Sequence, residues 1–207
     1  MAIQIRNVMT PVNVSGTGFQ QPLYDTEVWS QTAPFTPISF FTRPLGTSMT
    51  YQGLTRNKND WWTNLQSPSQ LPAGVMIIMA GFALELEPGM RDTDVMNFER
   101  TATFYWFDNQ TIRLQVPVSR LPGGLGMDGF GAGVNRPRKG QALPIIYDVR
   151  IPREIRGPGE GWPVIQPLQN FHCELRFEGP FTAAYCQPYQ DVYVRCYING
   201  VMVKPLG

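Results

Sequence analysis

The side chains able to do chemistry are few in this chain and widely spaced. His172 is the only histidine, and the three cysteines, Cys173, Cys186 and Cys196, show no C-x-x-C spacing. A nucleophile needs a base within hydrogen-bond reach. His172 and Cys173 are adjacent on a segment that alternates like a strand, so they point to opposite faces and cannot form a dyad. An odd number of thiols speaks against a disulfide framework or a zinc site, and fits free, mostly buried cysteines in a reducing compartment. Glu85 and Glu87 are same-face neighbours on a strand, and Asp92 and Asp94 form a second acidic pair. Such pairs bind calcium or cleave glycosides only when they converge on a common ligand. Here they read as surface acids, and a cupin-type metal site would need clustered histidines. The expectation is a chain that is not an enzyme, with no catalytic residues, no metal and no cofactor.

Two loop segments carry further candidates. Gly124, Gly126 and Gly129 satisfy G-x-G-x-x-G, but Pro137 and Pro144 follow, with no helical period between them. The helix that must hold a pyrophosphate cannot form, which leaves a glycine loop between strands. Beside it, Arg136, Arg138 and Lys139 offer a contact for a phosphate or an acidic partner, or simply a solvated loop. In "NDWWTNL", Asp60 is expected to cap one helical turn carrying Trp61 and Trp62. Adjacent side chains diverge by about 100° on a helical turn and by more on a strand. One core therefore does not readily take both indoles. One of them meets a neighbouring subunit or a ligand, with core packing as the alternative. The sequons at Asn13 and Asn109 read as chance in a chain without an export signal.

These residues must be placed by strands. The 19 prolines are spread over nearly the whole length and leave few windows for a helix. Alternation predicts strands near 37–43, 75–86, 101–107, 111–118, 143–151, 172–178, 191–198 and 201–204, a further one at 3–8, and no helix of consequence. In 111–118 the inward set is Ile112, Leu114, Val116 and Val118. At the end of the chain, Asn199-Gly200 is expected to close a type I′ hairpin in which Ile198 faces Val201, leaving a mixed face of Tyr193, Arg195 and Tyr197 to meet a neighbour. Long Pro- and Gly-rich crossings between about eight antiparallel strands predict an all-β fold, a single jelly-roll or Greek-key β-sandwich. Residues 1–36 are polar and poorly patterned and are assigned to an N-terminal arm, or to plain disorder, ahead of a single domain over 37–207.

Composition narrows the partners. Lys and Arg total 17 against 16 for Asp and Glu, so no global field draws the protein to nucleic acid or an acidic membrane. Charged residues make up 16% and aromatics 12%; soluble domains average roughly 25% charged. Either the surface is covered by copies of the chain, since interfaces favour aromatics over Lys and Glu, or the β core is simply large. The N-terminus does not read as a signal peptide. The most apolar stretch, Val75 to Leu86, contains Gly81 and Glu85 and falls short of the roughly 20 residues of a membrane span.

Within residues 57–88, the polar "TNL", the "LPAG" turn and the strand "MIIMAGFALEL" resemble the region leading into an early strand of jelly-roll capsid proteins of tailless icosahedral viruses, including bacteriophages with an internal membrane. The resemblance implies a structural virion protein, more in the manner of a major than a minor capsid protein. It implies assembly in the host cytoplasm through contacts with its own copies, with other capsid proteins and with an internal membrane. One departure is plain: Arg6 is the only basic residue before Arg43, so there is no arginine-rich arm. Packaging by charge neutralisation is not expected, nor is sequence-specific nucleic-acid binding. The rival reading is a carbohydrate-binding β-sandwich, lectin-like or a spike module, in which Trp61, Trp62, Trp106 or Trp162 stacks on sugar faces.

Overall fold

The structure, a computed structural model, describes residues 16–19, 21–88, 90–118, 123–125, 145–150, 164–177 and 187–205. In chain order its elements are β1 (Gly16–Phe19), β2 (Leu23–Trp29), β3 (Ile38–Phe40), β4 (Ser48–Tyr51), β5 (Leu54–Asn57), β6 (Met76–Leu86), α1 (Asp92–Thr101), β7 (Ala102–Asp108), β8 (Thr111–Pro117), β9 (Gly123–Leu125), β10 (Ile145–Arg150), β11 (Val164–Ile165), β12 (Phe171–Phe177) and β13 (Val192–Pro205).

Two antiparallel sheets make the sandwich. The first runs β2-β13-β6-β10, extended by β1 beside the later half of β13, by β11 beside the start of β6, and by β9 beyond β10. The second runs β3-β12-β7-β8, and a separate hairpin pairs β4 with β5. The chain crosses from β2 to β3, from β6 to β7, from β8 to β9, from β11 to β12 and from β12 to β13, entering the other sheet each time, and its main strands lie in the order β2-β13-β6-β10 against β3-β12-β7-β8. That is the strand order of a jelly roll. Inner faces meet in one core, with Phe82, Leu84 and Leu86 of β6 and Val194, Cys196 and Ile198 of β13 lying against Phe104 of β7 and Cys173 and Leu175 of β12.

Several expectations are corrected. The C-terminal segment is one strand of 14 residues, not a hairpin. Ile198 pairs with Phe82 and Val201 with Ile78, so both halves of β13 lie along β6. The register shifts where Asn199 faces Gly81 and Gly200 faces Met79, which leaves Ala80 as the extra residue of a bulge in β6. Gly200 serves this close approach: a Cβ there would stand 2.1 Å from the Ile78 carbonyl oxygen. The Asn-Gly pair supplies a small residue at a strand crossing instead of a reversal.

The arm is cut short too. Leu23–Trp29 is a full strand of the first sheet, and Leu23 and Trp29 belong to the core. Its alternation was hidden because the inward positions between them are Asp25 and Glu27, both buried.

A helix of ten residues, α1, stands between the strands expected at 75–86 and 101–107, where no helix of consequence was expected. Val95 and Phe98 are buried one helical turn apart, and Phe98 packs edge-on against Trp29 at 5.4 Å and Phe177 at 5.9 Å. A spacing of three places both on one face of a helix and on opposite faces of a strand.

In β8, Val118 just beyond the strand is fully buried and Leu114 and Val116 pack on the core, but Ile112 is 46% exposed. The ladder with β7 shifts between Trp106 and Phe107, which turns Ile112 to the outer side opposite Phe107. Among the described residues no helix is long and apolar enough to cross a membrane.

Candidate functional site

The connection between β3 and β6 wraps the otherwise unpaired edge of β2. Thr26 donates its N–H to the Trp62 carbonyl at 2.8 Å, Asn64 donates to the Tyr24 carbonyl at 3.2 Å, and Asp25 and Thr63 form a bridge. An open edge is thereby covered. The turn before it is closed by Trp62 and Thr63 N–H groups on the Asn59 carbonyl, and the Asn59 side chain accepts from the Trp61 N–H at 3.1 Å. Asn59, not Asp60, is therefore the capping residue.

On the outer side of the first sheet this wrap assembles all five residues anticipated as interface anchors. Trp62 is buried at 4% exposure with Met49 and Tyr193 in a small second core, while Trp61 is 49% exposed. Their rings meet edge to face at 4.6 Å, and Trp61 also meets Tyr193 at 5.2 Å. The Arg195 guanidinium lies 4.5 Å over the Trp61 ring and donates to the Trp61 carbonyl at 2.9 Å and to Thr26 Oγ1 at 2.8 Å. It also donates to the Tyr197 hydroxyl, which in turn donates to Glu85. Tyr51 donates to Glu87 at 2.6 Å, and so does the Tyr193 N–H at 2.9 Å. Burial, reinforced by the Glu85 carboxylate, pushes the Tyr197 phenol up to about 12, and burial with Glu87 pushes Tyr51 higher still. The face of Tyr193, Arg195 and Tyr197, expected to be open to a neighbour, is thus engaged within the chain. Trp61 is the most exposed member of this cluster.

The inner side of the same strand carries a group of residues that sequence reasoning missed. Lys58 follows β5 directly, and its fully buried ammonium donates to Asp25 Oδ1 at 2.7 Å and to Glu27 Oε1 at 2.6 Å. Arg43 pairs with Glu27 through both carboxylate oxygens. The second oxygen of Asp25 accepts the Phe41 N–H at 2.7 Å. Burial raises the Asp25 carboxyl and lowers the Lys58 ammonium, each opposed by the other's charge. The available signal was the pair of acids at alternate positions in "LYDTEVW", between two residues that face the core.

The remaining candidates are scattered. His172 stacks flat on Phe107 at 4.4 Å, and burial lowers its pKa below 6.5. Cys173 lies on the opposite face, in the core, and Cys196 is buried with its thiol pushed well up by burial and by Cys173. Both are free thiols. Glu85 and Glu87 are held by the tyrosines described above, and Asp94 pairs with Arg91 at 3.0 Å. Trp106 faces inward beside Phe82. Arg136, Arg138, Lys139, Trp162, Cys186 and the segment at 3–8 lie outside the described residues. Among the described residues no group of three or more His, Cys, Asp or Glu side chains is placed to hold a metal ion. Beside the tryptophan turn, a cavity of 240 Å³ is lined by Leu23, Asp60, Asn64, Leu71, Met202 and Lys204 among others. No protein-family model matches the chain, and no curated protein matches it.

Proposed function

We propose that this protein is a self-assembling jelly-roll subunit of an icosahedral viral shell, with no catalytic activity toward other molecules. The observation that carries the reading is the role of residues 57–88, the segment that resembles capsid proteins. It seals the β2 edge of the first sheet, then becomes the central strand β6, and in between leaves Trp61 half exposed on a rigid backing of Trp62, Tyr193 and Arg195. A large aromatic held in one orientation is the kind of anchor that dominates protein interfaces. The strand order supports the reading by fold-level analogy, since jelly rolls also serve lectins and enzymes.

Size-exclusion chromatography with light scattering, followed by negative-stain microscopy, tests it. The expected result is trimers, larger oligomers or particles at micromolar concentration. A monodisperse monomer at every concentration and salt condition overturns it. The cavity beside the tryptophan turn, with Asp60, Asn64 and Gln66 in its wall, favours the carbohydrate-binding reading as the second choice. Binding of the monomer on a glycan array, abolished by Trp61→Ala, would establish that alternative.

A further inference from the structure

The buried ionic cluster has the composition and geometry of a reaction centre. An amine and a carboxyl group condense to an amide when they are in contact, when both are uncharged, when a base can carry the proton, and when the oxyanion of the intermediate has a donor. Lys58 Nζ touches Asp25 Oδ1 at 2.7 Å, with both side chains wholly excluded from solvent. A neutral acid and a neutral amine are cheaper to bury than their ions. The directions in which burial moves Asp25, upward, and Lys58, downward, favour passing the ammonium proton to the carboxylate. Glu27 differs from Asp25 in having a second cation, the Arg43 guanidinium, on its carboxyl group, while its Oε1 lies 2.6 Å from the same amine. The Phe41 N–H points at the far oxygen of Asp25. Phe41 does so from φ 65, a left-handed conformation rare for a bulky residue and held here with the side chain fully buried.

We propose that Lys58 and Asp25 form an intramolecular amide cross-link, autocatalysed within the folded chain, with Glu27 as the proton shuttle. Starting from the neutral pair, Lys58 Nζ attacks Asp25 Cγ and Glu27 takes one proton from the nitrogen. The Phe41 N–H stabilises the negative charge that develops on Oδ2, as an oxyanion hole does. The intermediate collapses, the C=O bond re-forms at Oδ2, and Oδ1 leaves with its own proton and the one from Glu27 as water. Glu27 returns to the carboxylate. One N–C bond forms, one C–O bond breaks, and no oxidant or co-reactant is needed. The product ties the loop after β5 to strand β2, whose open edge that loop covers. This inference does not depend on the shell function.

Mass spectrometry of the full chain tests it. The folded, purified protein should be lighter than its sequence mass by one water, and the difference should survive denaturation. Trypsin should fail to cut after Lys58. Because Arg43 precedes a proline, peptide 7–56 should be recovered joined to peptide 57–91, with tandem fragmentation placing the bond between Asp25 and Lys58. Lys58→Arg and Glu27→Gln should each remain at full sequence mass. Retention of full mass by the folded wild-type protein after prolonged incubation overturns the proposal. So does a water loss located elsewhere in the chain, or one that persists in Lys58→Arg.

Discussion

At the scale of single residues, the chemistry-bearing side chains are used to hold the protein together. Lys58 is the cation paired with the buried Asp25 and shares Glu27 with Arg43, so removing it leaves Asp25 buried without a counter-charge. Lys58→Met is expected to lower stability by about 3–5 kcal/mol in urea unfolding, and loss of a cross-link at this site adds to that. Arg113→Ala provides the contrast: its ion pair with Asp108 involves a side chain 55% exposed, and the change should stay within about 0.5 kcal/mol. Tyr197 sets an alkaline limit. Its phenol ionises near 10.0 in the unfolded chain and at about 12 in the folded one. The folded state therefore holds that proton more tightly. The stability it contributes is complete below pH 10.0 and is lost as the pH rises through about 12. Tyr197→Phe should flatten that part of the stability profile, as read by chemical unfolding at a series of alkaline pH values; an unchanged slope would show that the phenol does not titrate in this way.

At the scale of elements, the crossing of β13 over β6 is the most exacting feature. Both strands are central, and the bulge at Ala80 brings the Ile78 carbonyl close against Gly200. The obstacle is backbone, which has little room to yield. Gly200→Ala should therefore lower stability by about 3 kcal/mol, at the upper end of ordinary overpacking. Asn199→Thr separates this geometry from a type I′ turn. A turn needs positive φ at that position and would suffer, whereas a strand accepts a β-branched residue within about 0.5 kcal/mol. Thermal melts of the two variants decide the point. Amides of β6 and β13 should also be among the slowest to exchange, because each strand is flanked on both sides.

At the scale of the whole molecule, the two tryptophans divide the work. Trp62 is enclosed with Met49 and Tyr193, and Trp62→Ala should lower stability by about 3–5 kcal/mol. Trp61 is half exposed, and Trp61→Ala should leave the melting temperature nearly unchanged while weakening assembly by about 2 kcal/mol per interface. Assembly yield measured beside melting temperature reads the two effects separately. Normal assembly of Trp61→Ala would remove this residue as an anchor. A large loss of stability in Trp61→Ala would make it part of the core.

The sequence alone determined what depends on local pattern. Period-two alternation in 75–86, 101–107 and 172–178 marked strands that the structure contains, and prolines at close intervals left α1 as the one α-helix among the described residues. The scarcity of histidine and the separation of the cysteines were also plain. Tertiary structure decided what depends on partners distant in sequence. Asn199-Gly200 is locally a turn, but pairing with β6 along the whole of β13 outweighs one local reversal. Asp25 and Glu27 look like solvent-facing residues until Lys58 arrives from 33 and 31 positions away. Ile112 belongs with Leu114 by alternation, and a register shift against β7 turns it outward. Trp61, Arg195 and Tyr197 could each be named from the sequence, but their meeting rests on the fold of the loop around β2. Propensity and periodicity act between near neighbours, whereas burial, bulges and charge pairing are settled by contacts that exist only after the sheets have closed.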